Sequence, residues 1–219
     1  MVTTDVARTA SPALPEDHPV PDSPALAALG RLSSGLTAGS GTHDLVERLV
    51  DDLSRPFGLD FSIRYEFAPV GALHLHSTIG VPRRHLPRLQ VVRLGEAVCG
   101  TVAERRRPEA HGRVDADPDD RLSLARELDA TAYASFPLTA GADLLGTLSV
   151  GSRSRAEFGP EELTVLGSAA ALVTVAAVRE RDEQLVRSAL QARREARSAS
   201  PTWRPRWPPT GRSRWPSAW

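Results

Sequence analysis

Apolar residues recur at helical spacing in the first part of the chain. In PALAALGRLSSGLTAG, leucines form one stripe, which predicts a helix with Pro24 in its first turn. A second helix is predicted in THDLVERLVDDLSRPFG, where apolar residues form a broad face, Thr42 caps the start and Pro56–Gly58 ends the helix. The stripe of the first helix consists of Leu26, Leu29, Leu32 and Leu36.

The hydrophobic period then changes from 3.6 to 2. In DFSIRYEF, apolar and aromatic residues alternate with polar ones, which predicts a half-buried strand. The predicted buried face is Phe61, Ile63, Tyr65 and Phe67, and the predicted polar face is Ser62, Arg64 and Glu66. ALHLHSTIG predicts a second strand joined to the first as a hairpin, and LQVVRL predicts a third, shorter strand.

The second half of the chain predicts one helix, two strands and a last, long helix. The acidic stretch VDADPDDRLSLARELDA predicts a helix capped by Asp117, with Pro118 in its first turn. TAYASFPL and DLLGTLSVGS predict two strands, the second of them central and covered on both faces because it is nearly all small or apolar. The last helix begins at GPEEL, and its 3-4 apolar spacing is typical of a coiled-coil seam. We predict a dimer interface at Leu163, Leu166, Ala170, Val173 and Ala177.

This order of elements predicts an α+β fold, with a central antiparallel β-sheet flanked by helices and a long C-terminal helix. Residues 1–22 are rich in proline and acidic groups and are expected to be disordered. Residues 23–182 form the predicted domain, and 183–200 a polar helical extension. Residues 201–219, rich in Arg, Pro and Trp, show no periodicity and are expected to be disordered.

Composition narrows the functional classes. The 27 basic residues, all arginine, balance 27 acidic residues, so no overall field attracts nucleic acid or a membrane surface. A single cysteine, Cys99, excludes an internal disulfide and a cysteine-rich zinc site. The most apolar window, Val165 to Val178, is shorter than the roughly 20 residues of a membrane span. We therefore expect a cytoplasmic protein with no nucleic-acid or membrane partner.

From about Ala25 to Arg181 the chain resembles a GAF domain. The resemblance rests on FGLDFSIRYEF, on LGEAVCGTVAERRRP and most specifically on AYASFPLTAGADLLGTLSVGSRSRAEFGPEELTVL, in which a hairpin leads into the last helix. It implies a GAF-like sandwich with a ligand cavity on one side of the sheet. It also implies terminal helices that dimerise and pass signals to an output domain, such as the histidine kinases that such modules precede.

Cys99 is the first candidate for chemistry. The resemblance offers two uses for it, as a tether for a linear tetrapyrrole or as a redox group like that of the free methionine sulfoxide reductases. The reductase chemistry requires a second, resolving cysteine, which the chain lacks, and the histidines closest in sequence are His85 and His111. We therefore predict that Cys99 is a small packed side chain near the mouth of the cavity.

Three other patterns have simpler interpretations. His74 and His76 share a strand face, but a metal site usually needs at least three protein ligands, so we predict two solvated histidines and no metal. DADPDD spaces its aspartates like a calcium loop, but Asp120 and Arg126 stand where glycine and glutamate are needed. ERRRP and the Arg/Trp tail have the composition of single-strand nucleic-acid sites, and we favour a solvated helix end and an unstructured tail.

Tyr133 and Ser135 share one face of their strand, and Tyr65 is placed similarly on its own. We predict that an unknown small molecule contacts Tyr65, Leu75, Cys99, Val102, Tyr133 and Ser135. No catalytic triad, phosphate-binding loop or carboxylate pair stands out. We therefore expect a non-catalytic, cofactor-free homodimeric sensor that is the input part of a sensor-kinase type system. Two alternatives stay open, a haem- or chromophore-binding redox or light sensor and a dimerisation scaffold without a ligand.

Overall fold

The computed structural model describes residues 23–68 and 71–199. The predictions for residues 1–22 and 201–219 lie outside the described residues. Two helices, α1 (Pro24–Thr37) and α2 (Thr42–Phe57), precede a hairpin of β1 (Phe61–Ala68) and β2 (Ala72–Ile79). The remaining elements are α3 (Leu86–Leu89), β3 (Val91–Arg93), α4 (Ala97–Arg105), β4 (Glu109–Gly112), α5 (Ser123–Glu127), β5 (Ala132–Ala140), β6 (Asp143–Ser152) and α6 (Pro160–Ala199).

The strands form one six-stranded antiparallel sheet in the order β3-β2-β1-β6-β5-β4. The predicted α+β class, with a central antiparallel sheet flanked by helices and a long C-terminal helix, is confirmed. β6 lies between β1 and β5 and is buried from Leu145 to Ser152, so the prediction of a central, doubly covered strand is also confirmed. The two edge strands are the shortest, which limits pairing with other chains.

Each face of the sheet is covered by its own apolar cluster. One cluster joins α1, α2 and the first part of α6 to the sheet and includes Leu32, Leu49 and Val173. The other joins α4, α5 and their connecting segments to the opposite face and includes Val102 and Leu122. The sheet is therefore the middle layer of a three-layer domain.

The chain divides into two compact units, one ending at Arg179 and the other beginning at Glu180. In the second unit the described residues are helical as far as Ala199, and their side chains are exposed from Arg181 to Ser198. At its start, α6 has Pro160 in the first turn, and the Glu162 carboxylate accepts a hydrogen bond of 2.7 Å from the Gly159 N–H. This contact satisfies a donor at the helix start that the helix itself leaves unpaired.

Among the described residues, one helix, Pro160–Ser198, is long and apolar enough to cross a membrane by length and composition. Its most apolar window has a mean hydropathy of 1.5, and 33% of that window is buried. The core helix of a soluble protein passes the same test, and the buried Leu166, Val173 and Ala177 show that this helix packs in a core. The finding is weak evidence for a membrane span.

The predicted dimer seam is corrected by this packing. Leu166, Ala170, Val173 and Ala177 are buried in the cluster beneath α1 and α2, and Leu163 is half-buried against the same cluster. The 3-4 repeat therefore marks the face of α6 that packs on the chain's own sheet. The four buried residues are not available for an interface with a second chain, and Leu163 packs on the same cluster.

Two predicted faces differ from the observed ones. Ser62 and Arg64 of β1 are buried rather than solvated, because α2 and α6 cover the face of the sheet that carries them. On α1 the buried side is made by small residues and Leu32, while Leu26 is 49% exposed. Gly35 lies close to Leu45 of α2, so the small residues allow the two helices to approach closely.

The segment between α4 and β5 also differs from prediction. β4, only four residues long, was not predicted, because EAHG carries no alternating pattern. The acidic stretch starts its helical turns later than expected. The Asp117 carboxylate accepts a hydrogen bond from the Asp119 N–H (2.9 Å), and Asp119 in turn accepts one from the Arg121 N–H (2.9 Å) and begins the first helical turn.

Candidate functional site

A row of polar side chains crosses the middle of the sheet on the face covered by α4. We call Tyr65, Tyr133, Ser135, Thr147 and Ser149 the polar row. Sheet register places them side by side, because Tyr65 pairs with Thr147 across β1 and β6, and Ser149 pairs with Ser135 across β6 and β5. Paired residues project from the same face of a sheet, so the hydroxyl groups of the row converge under the helical layer.

One half of the polar row is internally hydrogen-bonded. The Ser149 hydroxyl donates to the Ser135 oxygen at 2.9 Å, and both residues are fully buried. Burial raises the pKa of Tyr133 well above its ordinary value, with a smaller contribution from Cys99, while the hydrogen bond with Ser149 acts in the opposite direction. Tyr133 therefore stays a neutral phenol throughout the physiological range.

The other half of the row has hydroxyls without partners. The Tyr65 Oη and Thr147 Oγ1 atoms are buried, and neither has a hydrogen-bond partner among the residues that the structure describes. A buried polar group without a partner costs about 1–3 kcal/mol. These two atoms are thus the part of the row where an added hydrogen-bonding molecule would contribute most.

Cys99 lies on α4, which covers the row. It is 2% exposed, and burial raises the pKa of its thiol to about 12, with a smaller contribution from the Glu96 carboxylate. A thiol with this pKa is protonated at neutral pH and is a poor nucleophile. The prediction that Cys99 is a packed side chain is confirmed by its burial within the apolar cluster of this face.

Two backbone features fix α4 close to the sheet. A Cβ added at Gly100 would overlap the carbonyl oxygen of Arg93, so only glycine allows this approach of α4 to β3. Ala97, the first residue of α4, has a φ of 52°, a left-handed conformation that is costly for a residue other than glycine. Backbone strain therefore lies at the start of the helix that carries Cys99.

A surface cleft of about 260 Å³ opens at this strained position. It is lined by Arg88, by residues of β3, by Glu96 and Ala97, and by side chains from Asp120 to Leu124. Its inner residues Val92 and Ala97 belong to the same apolar cluster as Tyr65 and Cys99. The cleft and the buried row therefore border the same apolar cluster.

The arginines at the rim of the cleft are held by carboxylates. Arg121 contacts Asp119 at 2.7 Å and Glu109 at 3.0 Å. These carboxylates raise the pKa of Arg121, chiefly through the Asp119 hydrogen bond. Arg88 lies 3.6 Å from Glu127. The rim thus presents mixed charge rather than a free cationic surface.

The structure brings the predicted ligand residues together. Tyr65, Cys99, Val102 and Tyr133 belong to one buried cluster, Leu75 packs against it, and Ser135 lies on the same sheet face. That these residues bind a ligand stays a prediction. The sequence analysis missed Thr147 and Ser149, whose alternation in GTLSVG was a usable signal, and it missed Glu96, which has no local signal.

The other candidate residues have ordinary surroundings. His74 and His76 are exposed on β2, as predicted. Within residues 23–68 and 71–199 no group of three or more His, Cys, Asp or Glu side chains is placed to hold a metal ion. Asp117 and Asp119 act as caps of turns.

A second, larger groove of about 450 Å³ lies on the other side of the sheet. It runs between β5 and the outward face of α6, and Phe136, Ala171, Val175 and Val178 are among its lining residues. Val175 is 55% exposed. This groove is apolar and lies far from the polar row, because Phe136 belongs to the opposite cluster.

Comparisons with solved structures agree with this fold. A GAF domain of a phosphoenolpyruvate-protein phosphotransferase from Coxiella burnetii is 20% identical, with a TM-score of 0.61 over 74% of this chain and 96% of that one. The equivalent GAF domain from Acinetobacter is 16% identical, with a TM-score of 0.59 over 73% and 96%. Free methionine-R-sulfoxide reductase from Neisseria meningitidis, in complex with its substrate, is 22% identical, with a TM-score of 0.56 over 72% and 91%. At these identities the likeness shows the fold alone.

The sequence comparisons identify the class and the family. No curated protein sequence matches the chain. The antiparallel sheet with helices on both faces and the long terminal helix give the chain the architecture of these solved GAF domains, and the family match supports a regulatory or sensory domain in general. The family model described as GAF domain matches residues 40–178, more than half of the sequence. The chain belongs to the GAF domain family.

Proposed function

We propose that this chain is a non-catalytic sensor that binds a small molecule over the polar row and signals through its terminal helices. The observation that carries the proposal is the pair of buried hydroxyls on Tyr65 and Thr147 without hydrogen-bond partners. Tyr65 belongs to the same apolar cluster as Ala97, the strained first residue of α4, which also lines the cleft. A ligand that enters there replaces missing hydrogen bonds and favours one position of α4.

The absence of catalysis is part of the proposal and is supported by the state of Cys99. Its thiol is buried, and its raised pKa keeps it protonated. The sequence contains no second cysteine to resolve an oxidised intermediate. The reductase likeness is thus one of fold, and we assign no reductase activity to this chain.

A small-molecule screen by thermal unfolding tests the proposal. A ligand at 100 times its Kd adds about 2.7 kcal/mol to the free energy of unfolding. For a domain of this size that raises Tm by roughly 5–10 °C. The double variant Tyr65→Phe, Thr147→Val should lose most of this rise and keep the unliganded Tm, because the removed hydroxyls have no partners to lose.

Thr139→Val on β5 is the matched control, since Thr139 lines the groove on the other side of the sheet. It should respond to ligand as the unchanged chain does. Stabilisers that act equally on the double variant would contradict the site, and a library without any stabiliser would favour a scaffold. A visible absorption band in the purified protein would instead favour the chromophore or haem alternative.

We further propose that the chain works in the cytoplasm as a homodimer that regulates a kinase or another output protein of a two-component system. The proposed dimer interface is the outward face of α6, in place of the buried seam that the sequence predicted. Ala171 and Val175 are exposed there, Val178 is half-buried, and the three follow the 4-3 spacing of a coiled-coil seam.

A further inference from the structure

The chemistry of the polar row indicates which class of molecule it takes, an inference that rests on the proposed function. The Tyr65 and Thr147 hydroxyls can each donate and accept a hydrogen bond. A molecule placed between them and α4 therefore needs both kinds of group. A ligand needs at least one donor and one acceptor to give both hydroxyls a hydrogen-bond partner.

An anion would find no cation in this position. Along β1, Arg64 alternates with Tyr65, so its side chain leaves the opposite face of the sheet. At the cleft rim, Arg121 and Arg88 are occupied by carboxylates. An anion would lose its hydration without an ion pair to replace it, which is strongly unfavourable in a buried site.

Glu96 adds repulsion to this cost. Its carboxylate lines the cleft beside Ala97 and would repel an anion that enters there. Burial is the main cause of the raised pKa of Tyr65 and Cys99, and Glu96 adds a smaller contribution to each. Arg153 lies over the Phe61 ring at the start of β1 and donates hydrogen bonds to the Leu128 and Gly80 carbonyls. These contacts hold the Arg153 guanidinium over Phe61, which lies four positions before Tyr65 in β1.

A cation is also poorly matched to the floor. The polar row consists of hydroxyls, and the adjacent Cys99 is a neutral thiol. No carboxylate among the described residues lies in the row itself, and Glu96 is exposed at the rim of the cleft. A positively charged group would therefore pair with Glu96 only at the rim, outside the buried part of the site.

We propose that the site binds a small uncharged molecule that carries at least one hydrogen-bond donor and one acceptor, such as a primary amide or a neutral heterocycle, and rejects anions. The cleft by which a ligand would enter has a volume of about 260 Å³, just below the roughly 300–1,000 Å³ of common small-molecule pockets, so the proposal is for a ligand of about one ring. Free phosphates and nucleotides fall outside this class.

Three molecules of one shape test the class. Benzamide is neutral, benzoate is an anion and benzamidine is a cation at pH 7. The full chain is labelled with 3-fluorotyrosine, because its only two tyrosines, Tyr65 and Tyr133, both lie in the row and give two fluorine NMR signals. Tyr65→Phe assigns the signals, and titration of each compound at millimolar concentration gives its affinity.

We expect benzamide to shift both signals in a saturable way and to bind at least 10-fold more tightly than benzoate or benzamidine. Glu96→Gln should strengthen benzoate binding by roughly 3- to 10-fold and leave benzamide within 2-fold, because only the anion is repelled by the carboxylate. Glu47→Gln removes the same charge from the exposed side of α2, which packs on the opposite face of the sheet; it is the matched control and should change neither ratio.

The possible outcomes test the uncharged ligand class separately from the proposed sensory site. If benzoate or benzamidine shifts both signals with an affinity equal to that of benzamide, the uncharged class is wrong and the proposed sensory site stands. If none of the three moves either signal, the class is likewise overturned. The thermal screen then decides the proposed function independently, because it does not assume any ligand charge.

Discussion

At the scale of the residue, the polar row shows how far a strand pattern determines a site. The alternation in DFSIRYEF correctly predicted that Tyr65 faces the same side as Phe61 and Ile63. The same alternation wrongly placed Ser62 and Arg64 in solvent. A period of two separates the faces of a strand, but it does not reveal whether a second layer covers the polar face.

The missed residues have a related physical explanation. Thr147 and Ser149 occupy a strand rich in small residues, and their function depends on the strands beside them. Tyr65 meets Thr147 only because β1 and β6 pair across a large sequence separation. The alternation in GTLSVG indicates the face that Thr147 shares with Ser149, but the lack of a hydrogen-bond partner for the Thr147 hydroxyl depends on tertiary packing.

Burial of both tyrosines predicts an unusual alkaline titration. Folding raises the pKa of Tyr65 and Tyr133, mainly through burial, so neither should ionise near its ordinary value of 10.0 while the domain is folded. We expect tyrosinate absorbance at 295 nm to rise only with loss of the far-ultraviolet circular dichroism signal. Tyrosinate in a folded chain at about pH 10 would show that the row is open to solvent.

The same burial predicts the sign of the pH dependence of stability. The unfolded chain releases the Cys99 proton near its ordinary pKa of 9.0, and the folded chain holds it to about 12. The native state therefore binds more protons between these values, and the free energy of unfolding falls by up to about 1.4 kcal/mol per pH unit from this group. Urea unfolding of Cys99→Ala should show a shallower decline above pH 9, and equal slopes would contradict the raised thiol pKa.

At the scale of the element, the long amphipathic helices and the hairpins were predictable, and the short elements were not. α2 and α6 begin within a residue or two of their predicted starts, because acidic first turns, and Pro160 in α6, mark them locally. The predicted cap of α2 is wrong, since Gly41 is the N-cap and Thr42 is the first helical residue. β4 has four residues and forms because it pairs with β5 at the edge of the sheet. Its sequence alone gives no reason for a strand.

The packing of α4 on β3 depends on one position without a side chain. Gly100→Ala should lower the free energy of unfolding by about 2 kcal/mol or more, because the new methyl group overlaps the Arg93 carbonyl oxygen. Gly30→Ala on α1 is the matched control, since nothing lies within 4 Å of its added Cβ. It should raise stability by up to about 1 kcal/mol. Similar urea midpoints for the two variants would contradict the close approach of α4.

At the scale of the whole molecule, the apolar repeat of α6 was correctly recognised and assigned to the wrong partner. A coiled-coil seam and a helix packed on a sheet both repeat at three and four residues, so spacing alone does not distinguish them. Burial does distinguish them, and it places Leu166 and Val173 inside the domain. The residues left outward on this helix are therefore the ones to test for self-association.

Val175→Glu should convert the proposed dimer to a monomer in sedimentation equilibrium, because a charge on the outward face of α6 cannot be buried without a partner. Val91→Glu is the matched control, since Val91 is 50% exposed on an edge strand of the sheet, away from α6. It should leave the mass unchanged. A monomeric parent chain, or an equal response of both variants, would contradict the interface.

The order of strands in the sheet has a consequence for biosynthesis. β1 lies in the centre of the sheet, yet its neighbour β6 is the last strand to leave the ribosome. Ile63, for example, cannot pair with Ser149 until β6 has been synthesised. At roughly 5–20 residues per second, the nascent β1 edge stays unpaired for on the order of ten seconds. During that interval the early hairpin offers an open backbone to other nascent chains, so chaperone occupancy should concentrate on it until translation has passed Ser152.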